Sequence, residues 1–219
     1  MVECFMRKAT RLALVSLICL LAAANYLTDV FLQTGPRLPI FVDTIFTVGV
    51  AFALGIVPGI AVAILSHLLG VIILGNVHVF FLVAIAEATM VGLLRPARYD
   101  KWNAARPSQK SVYHAYVFTT LMKIYIVCVI AVSVLGGVIE FLQHVFGNME
   151  RAYFIGIDAF RLSFLGMGIH ELGASILSRI LVNLISRIVI IFGGYLVAWG
   201  INTVADKILQ PWPLPQRHQ

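Results

Sequence analysis

The chain has 219 residues, of which 60% are hydrophobic and only 12% are charged. Average globular proteins carry roughly 25% charged residues, so this composition excludes a water-soluble fold and predicts a protein embedded in lipid. The 16 Lys and Arg against 10 Asp and Glu give a formal charge of +6. Because no nucleic-acid-binding motif accompanies these basic residues, we assign them to membrane topology rather than to RNA or DNA.

Apolar segments long enough to cross a bilayer recur along the chain. A crossing requires about 20 residues, with about 17 tolerated, and such segments lie near residues 12–31, 40–56, 58–74, 79–94, 112–135 and 180–204. Turn and breaker residues separate them, among them Gly35-Pro36, Pro58-Gly59 and Gly75-Asn76. The sequence therefore predicts an all-α integral membrane protein, a single domain over residues 1–219 built as a bundle of about six transmembrane helices.

The basic residues predict the orientation of this bundle. They cluster at Arg7, Lys8 and Arg11 and again over residues 95–110, and the positive-inside rule places both clusters in the cytoplasm. With six spans, the N-terminus and the C-terminus are then both cytoplasmic, in a cell (inner or cytoplasmic) membrane. An alternative for residues 1–24 is a cleaved secretory signal peptide, because a leucine-rich run ends there in Ala22-Ala23-Ala24.

Residues 136–178 have mixed polarity and are predicted to form an outer segment between the fifth and sixth spans. Apolar positions such as Val138 and Phe141 share one helical face, with Glu140 and His144 on the other, which is typical of an interfacial helix. Residues 152–168 are apolar enough to dip into the membrane as a re-entrant helix or to cross it. A crossing would move the C-terminus outside.

Ionisable residues inside the predicted spans are the candidate site residues. Each costs about 2.5–3.5 kcal/mol on insertion scales and usually faces the interior of the bundle. Asp43, Glu87, Lys123 and Arg187 are of this kind, with Thr47 and Asn183 as uncharged partners, and together they form our predicted substrate-binding set. One interpretation is a polar cavity in which Lys123 and Arg187 bind a carboxylate or phosphate. The other is that Glu87 pairs with Lys123 or Arg187 only to fix helix register.

Motifs of catalysis and nucleotide hydrolysis are missing from the sequence. It contains no Walker A loop, no GxSxG elbow and no HExxH pair, and its three cysteines are scattered without a CxxC spacing. We therefore expect no enzymatic activity, no cofactor and no metal site. Active transport by this chain would need energy from a partner or from an ion gradient.

Two neighbouring stretches resemble a known family. Residues 38–47 carry Asp43, Thr44 and Thr47 near the start of the second span, and residues 55–70 begin with the turn formed by Gly55 and Pro58-Gly59. This pattern is similar to that of the substrate-binding S components of energy-coupling factor transporters. The resemblance covers about 35 residues directly, and the six spans and orientation extend it. Residues 136–178 are longer than this family leads us to expect, and no motif identifies a substrate.

The resemblance implies a function and a set of partners. S components capture a vitamin or another micronutrient at the membrane and work with a coupling transmembrane subunit and two ABC-type ATPases. Ala9 and Ala13, a small-xxx-small pair at the start of the first span, are similar to the motif by which S components dock on the coupling subunit.

Two other classes of function stay open. One is a solitary membrane sensor or assembly protein whose polar residues only pack helices. The other is an integral-membrane enzyme that uses His67, Glu87 or His170-Glu171 as acid or base.

Overall fold

The computed structural model describes residues 2–34, 41–74, 79–98, 110–146 and 155–209. Within these ranges the regular secondary structure is all helical, and there is no strand. Several features of the sequence prediction lie outside the described residues. They are the turns at Gly35-Pro36 and Gly75-Asn76, the loop residues Lys101 and Arg106, and the C-terminal tail after Leu209.

The described residues form seven helices. These are α1 (Val2–Thr34), α2 (Ile45–Leu54), α3 (Ile56–Leu74), α4 (Phe81–Leu94), α5 (Lys110–Phe146), α6 (Ile155–Gly166) and α7 (Glu171–Leu209). Four stretches, in α1, α3, α5 and α7, are long and apolar enough to cross a membrane: Leu12–Phe31, Ile56–Ile73, Ser111–Phe146 and Glu171–Val204. The second and fourth predicted spans fall on the shorter apolar helices α2 and α4. A helical, multi-pass membrane protein is thus supported, while the number of six spans and the orientation of the termini stay predictions.

The outer surface of the bundle is apolar. Val57 and Ile72 of α3 are 77% and 78% exposed, and Trp199 of α7 is 69% exposed. A water-soluble protein rarely exposes contiguous apolar patches of more than a few hundred Å². Lipid is the solvent that fits such a surface.

Helix α7 organises the packing. It lies against α2, α5 and α6, while α1 packs on α2 and α3, and α4 packs on α2, α3 and α5. The largest buried apolar cluster joins four helices, with Val48 from α2, Val91 from α4, Ile124 from α5 and Ile190 from α7, all fully buried.

The helices α5 and α7 run further than the predicted spans. The sequence prediction ended the fifth span before Gly136-Gly137, but α5 continues through both glycines to Phe146. A Cβ atom built on Gly137 would lie 2.8 Å from Ile176 Cα, and one built on Gly136 would lie 3.2 Å from Arg179 Cδ. The glycine pair therefore lets α5 and α7 approach closely. Residues 136–178 are divided between the end of α5, the short α6 and the start of α7.

A single residue joins α2 to α3. Gly55 has a φ of +102°, in the region that favours glycine because it has no Cβ. Arg95, just after α4, donates from Nη1 to the carbonyl oxygens of Phe52 at 3.3 Å and Ala53 at 3.4 Å. These contacts satisfy carbonyls that the end of a helix leaves without partners and fix α4 to this turn.

Helix α2 is too short to span a bilayer by itself. Its ten residues reach about 15 Å at 1.5 Å per residue, against a hydrocarbon core of about 30 Å. It begins only at Ile45, after a non-helical entry over residues 41–44. Thr44, the residue before α2, contacts Glu87 in the middle of α4. The start of α2 therefore lies inside the bundle.

Candidate functional site

An ion pair between α4 and α7 lies at the centre of the site. Glu87 is fully buried and Arg187 is 3% exposed, and Arg187 Nη1 lies 2.5 Å from both carboxylate oxygens of Glu87. Two charges buried in a low-dielectric interior are tolerated when they are paired and hydrogen-bonded. Glu87 and Arg187 are paired in this way.

Hydrogen bonds extend the pair to α2 and α5. Thr44 donates its hydroxyl to Glu87 Oε2 at 2.7 Å and accepts from Arg187 Nη1 at 3.2 Å. Arg187 Nε donates to Asn183 Oδ1 at 3.4 Å, and Asn183 Nδ2 donates to Ser133 Oγ of α5 at 2.9 Å. One connected network thus links α2, α4, α5 and α7.

Side chains from α1 and α7 accept hydrogen bonds from the backbone of the non-helical entry to α2 and of its first turn. The backbone N–H of Phe41 donates to Ser186 Oγ at 3.0 Å, and that of Phe46 donates to Asn25 Oδ1 at 3.1 Å. Asn25 Nδ2 in turn donates to Thr47 Oγ1 at 3.4 Å. Irregular backbone at membrane depth is tolerated where protein surrounds it and satisfies its polar groups. These contacts fix the start of α2 against α1 and α7.

Asp43 is the exception in this network. Its Oδ1 atom is buried and has no hydrogen-bond partner. The carboxylate interacts electrostatically with Asp29, Arg187 and Glu87, so it belongs to the same group of charges. We use the name polar cluster for Asp43, Thr44, Glu87, Asn183 and Arg187.

The structure brings together most of the predicted substrate-binding residues. Asp43, Glu87, Asn183 and Arg187 are members of the polar cluster, and Thr47 is buried one turn further along α2.

Lys123 lies elsewhere. Its side chain is exposed on α5, while the neighbouring Ile124 is fully buried. The network of the polar cluster, as described above, therefore contains one arginine and does not include this lysine. Of the two predicted docking residues, Ala13 is exposed on α1, and the side chain of Ala9 lies outside the described residues.

The residues considered for an enzyme do not form one group. The ring of His67 on α3 stacks on Phe81 with centroids 4.8 Å apart. His170 is exposed and accepts the backbone N–H of Leu172 through Nδ1 at 3.3 Å, at the start of α7. Glu87 is engaged by Arg187 inside the bundle. His67, His170 and Glu87 thus lie in three different surroundings.

A second set of ion pairs connects α5, α6 and α7. Glu140 accepts from Arg179 Nε at 2.7 Å, and Arg161 Nε lies 3.5 Å from its other oxygen. Arg161 Nη1 also contacts Glu171 Oε1 at 3.1 Å, and the guanidinium of Arg179 lies 4.6 Å from the centre of the Phe80 ring. These charges balance within the set, which secures α6 to the bundle.

Arg179 and the hydroxyl groups of Thr44 and Ser133 were absent from the predicted site. A signal for Arg179 exists in α7, where polar residues recur at every fourth position. Ser175, Arg179, Asn183 and Arg187 form this row, and all four are buried. Residues four apart share a helical face, so the row marks the polar side of an otherwise apolar helix. The hydroxyl of Ser133 had no comparable signal, because serine is common in membrane helices.

Metal ligands do not assemble in the part of the chain that the structure describes, where no group of three or more His, Cys, Asp or Glu could hold an ion. No family model, no curated protein and no solved structure matches this chain.

Proposed function

We propose that this chain is the membrane-embedded solute-binding subunit of an uptake transporter, of the energy-coupling factor type that its sequence resembles. The observation that carries the proposal is the half-length α2, which starts inside the bundle at the polar cluster. Transporters commonly bind solutes where a helix is interrupted near the middle of the membrane, because backbone and side-chain polar groups become available there. The polar cluster provides such groups, and α7, which carries Asn183 and Arg187, is of spanning length.

The residues at the two ends of α2 indicate the side of the membrane from which the solute would be captured. Asp43 precedes its first turn, whereas Arg95 contacts its last turn at Phe52 and Ala53. Arg98 follows Arg95 in the basic cluster over residues 95–110. If basic residues mark the cytoplasm, the end of the bundle at Asp43 faces outward. The solute would then enter from outside and reach the polar cluster from that end.

The partners we propose are a coupling transmembrane subunit and two ABC-type ATPases, since the sequence has no nucleotide-binding motif of its own. Helix α1 offers a surface for such a subunit. Few residues of its apolar stretch are buried, and Ala13 lies on the exposed part. Small residues allow a neighbouring helix to approach closely.

Co-purification from native membranes tests the proposal. The tagged chain is extracted in mild detergent, and the accompanying proteins are identified and quantified by mass spectrometry. We expect a coupling membrane subunit with two ATPases. The Ala13→Leu variant should lose them, while the control Ala115→Leu, which adds the same bulk at an exposed position of α5, should keep them. Recovery of the wild-type chain without ATPases would contradict the transporter assignment and favour a solitary binding or sensory protein.

A further inference from the structure

We propose that the solute is a small organic cation, and that Asp43 Oδ1 accepts a hydrogen bond from its positively charged N–H group. This inference rests on the proposed function and names the chemical class of the solute. It is argued from the hydrogen bonds and the charges of the polar cluster.

The first argument is the unused acceptor. Asp43 Oδ1 is buried without a hydrogen-bond partner. A buried acceptor that lacks a partner carries the full cost of its lost hydration, and the cost is larger for a carboxylate than for a neutral group. A ligand that donates a hydrogen bond to this oxygen removes that cost on binding.

The second argument is the balance of charge. Arg187 is committed to other groups, because its Nη1 contacts Glu87 and Thr44 and its Nε contacts Asn183. Two carboxylates, Asp43 and Glu87, share this one guanidinium, and Asp29 lies close enough to interact electrostatically with Asp43. An anionic solute would approach two carboxylates, Asp43 and Glu87, that already share Arg187. A cationic solute is attracted by the same carboxylates.

The third argument concerns the kind of cation. Calcium takes six to eight oxygen ligands, and magnesium demands a near-octahedral set. The polar cluster offers one unused carboxylate oxygen, and the described residues contain no group of three metal-binding side chains. An N–H of an ammonium group can donate to this single oxygen, and such a charge-assisted hydrogen bond is roughly twice as strong as a neutral one.

Matched probes test the charge of the solute. We would measure thermal unfolding and the heat of binding of the purified chain in detergent with ethyl, benzyl and indolylethyl compounds, each as an ammonium, an alcohol and a carboxylate. At least one ammonium should raise the unfolding midpoint more than its alcohol and its carboxylate do. Asp43→Asn keeps an acceptor oxygen but removes its charge, and it should weaken that binding roughly 10- to 100-fold, because a hydrogen bond to a charged group contributes more than one to a neutral group. Asp158→Asn on α6 makes the same change of charge elsewhere and should leave binding unchanged.

A second measurement uses the wild-type chain and needs no variant to fold. An apolar carbodiimide modifies carboxyl groups in membranes, and peptide mass spectrometry gives the rate at Asp43. The stabilising ammonium should slow modification at Asp43 and leave the rate at Asp158 unchanged.

The outcomes separate this inference from the proposed function. Stabilisation by an alcohol or a carboxylate that equals or exceeds that by the ammonium, or an unchanged affinity in Asp43→Asn, would overturn the cationic solute and leave a solute-binding subunit standing. If every probe fails both to stabilise the chain and to protect Asp43, the cationic solute is rejected. Co-purification with the ATPases then decides the proposed function separately.

Discussion

Removing the positive charge of Arg187 should destabilise the whole bundle. The Arg187→Met variant leaves Glu87 fully buried without its counter-charge, and it also removes a donor to Thr44. Breaking one side of a buried pair typically costs about 3–5 kcal/mol. For a chain of roughly this size, each kcal/mol shifts the unfolding midpoint by about 2–4 °C, so the variant should unfold roughly 6–20 °C below the wild type.

A double variant separates the cost of a lone buried charge from the cost of lost packing. Most of the cost of breaking a buried pair comes from the uncompensated charge that is left behind, so Glu87→Gln combined with Arg187→Met should recover most of the loss. The part of the lost stability that is not recovered reflects Asp43, which also loses its electrostatic interaction with Arg187. The assay is thermal unfolding in detergent followed by tryptophan fluorescence, with Lys123→Met, which removes an exposed cation of α5, as control. A midpoint for Arg187→Met within about 2 °C of the control, or a double variant as unstable as the sum of the singles, would refute the reasoning.

Two further variants test the packing of α5 and the place of its lysine. Gly137→Ala puts a Cβ 2.8 Å from Ile176 Cα and should cost about 1–3 kcal/mol of unfolding free energy by overpacking. Gly200→Ala in α7 meets nothing within 4 Å and should be neutral or stabilising, so equal midpoints for the two would contradict the close approach of α5 and α7. Lys123→Met should leave the affinity for the stabilising solute unchanged, since this side chain is exposed. A tenfold loss of affinity, measured by calorimetry, would instead return Lys123 to the site.

The sequence predicted the helical class well and the ends of helices less well. Hydropathy identifies apolar segments but does not distinguish a helical from an extended conformation. The second span was therefore predicted over residues 40–56, whereas α2 occupies only Ile45–Leu54. The fifth span was predicted to end at residue 135, but α5 continues through Gly136-Gly137, where α7 approaches closely. Such contacts between distant residues leave no local pattern.

The candidate site was predicted in part for a similar reason. A charged residue inside a span faces the bundle in most membrane proteins, and Glu87 and Arg187 follow this rule. Lys123 does not, although it adjoins the buried Ile124. The polar residues of α5 are few, and Lys123 is exposed whereas Ser133 and Glu140 are buried, so its sequence did not reveal which side of the helix faces the bundle. The orphaned oxygen of Asp43 depends on the positions of several helices at once and is visible only in the assembled bundle.

The ion pair between Glu87 and Arg187 also has a consequence for biogenesis. The two residues are 100 positions apart, so the ribosome completes α4 well before it adds α7. During that interval Glu87 is present without the guanidinium that neutralises it, and the start of α2 is without the hydroxyl of Ser186. The final positions of α2 and α4 therefore become stable only after α7 has been made. Closure of the bundle is a late event in synthesis, and a chain truncated before α7 should be recognised and degraded as unassembled.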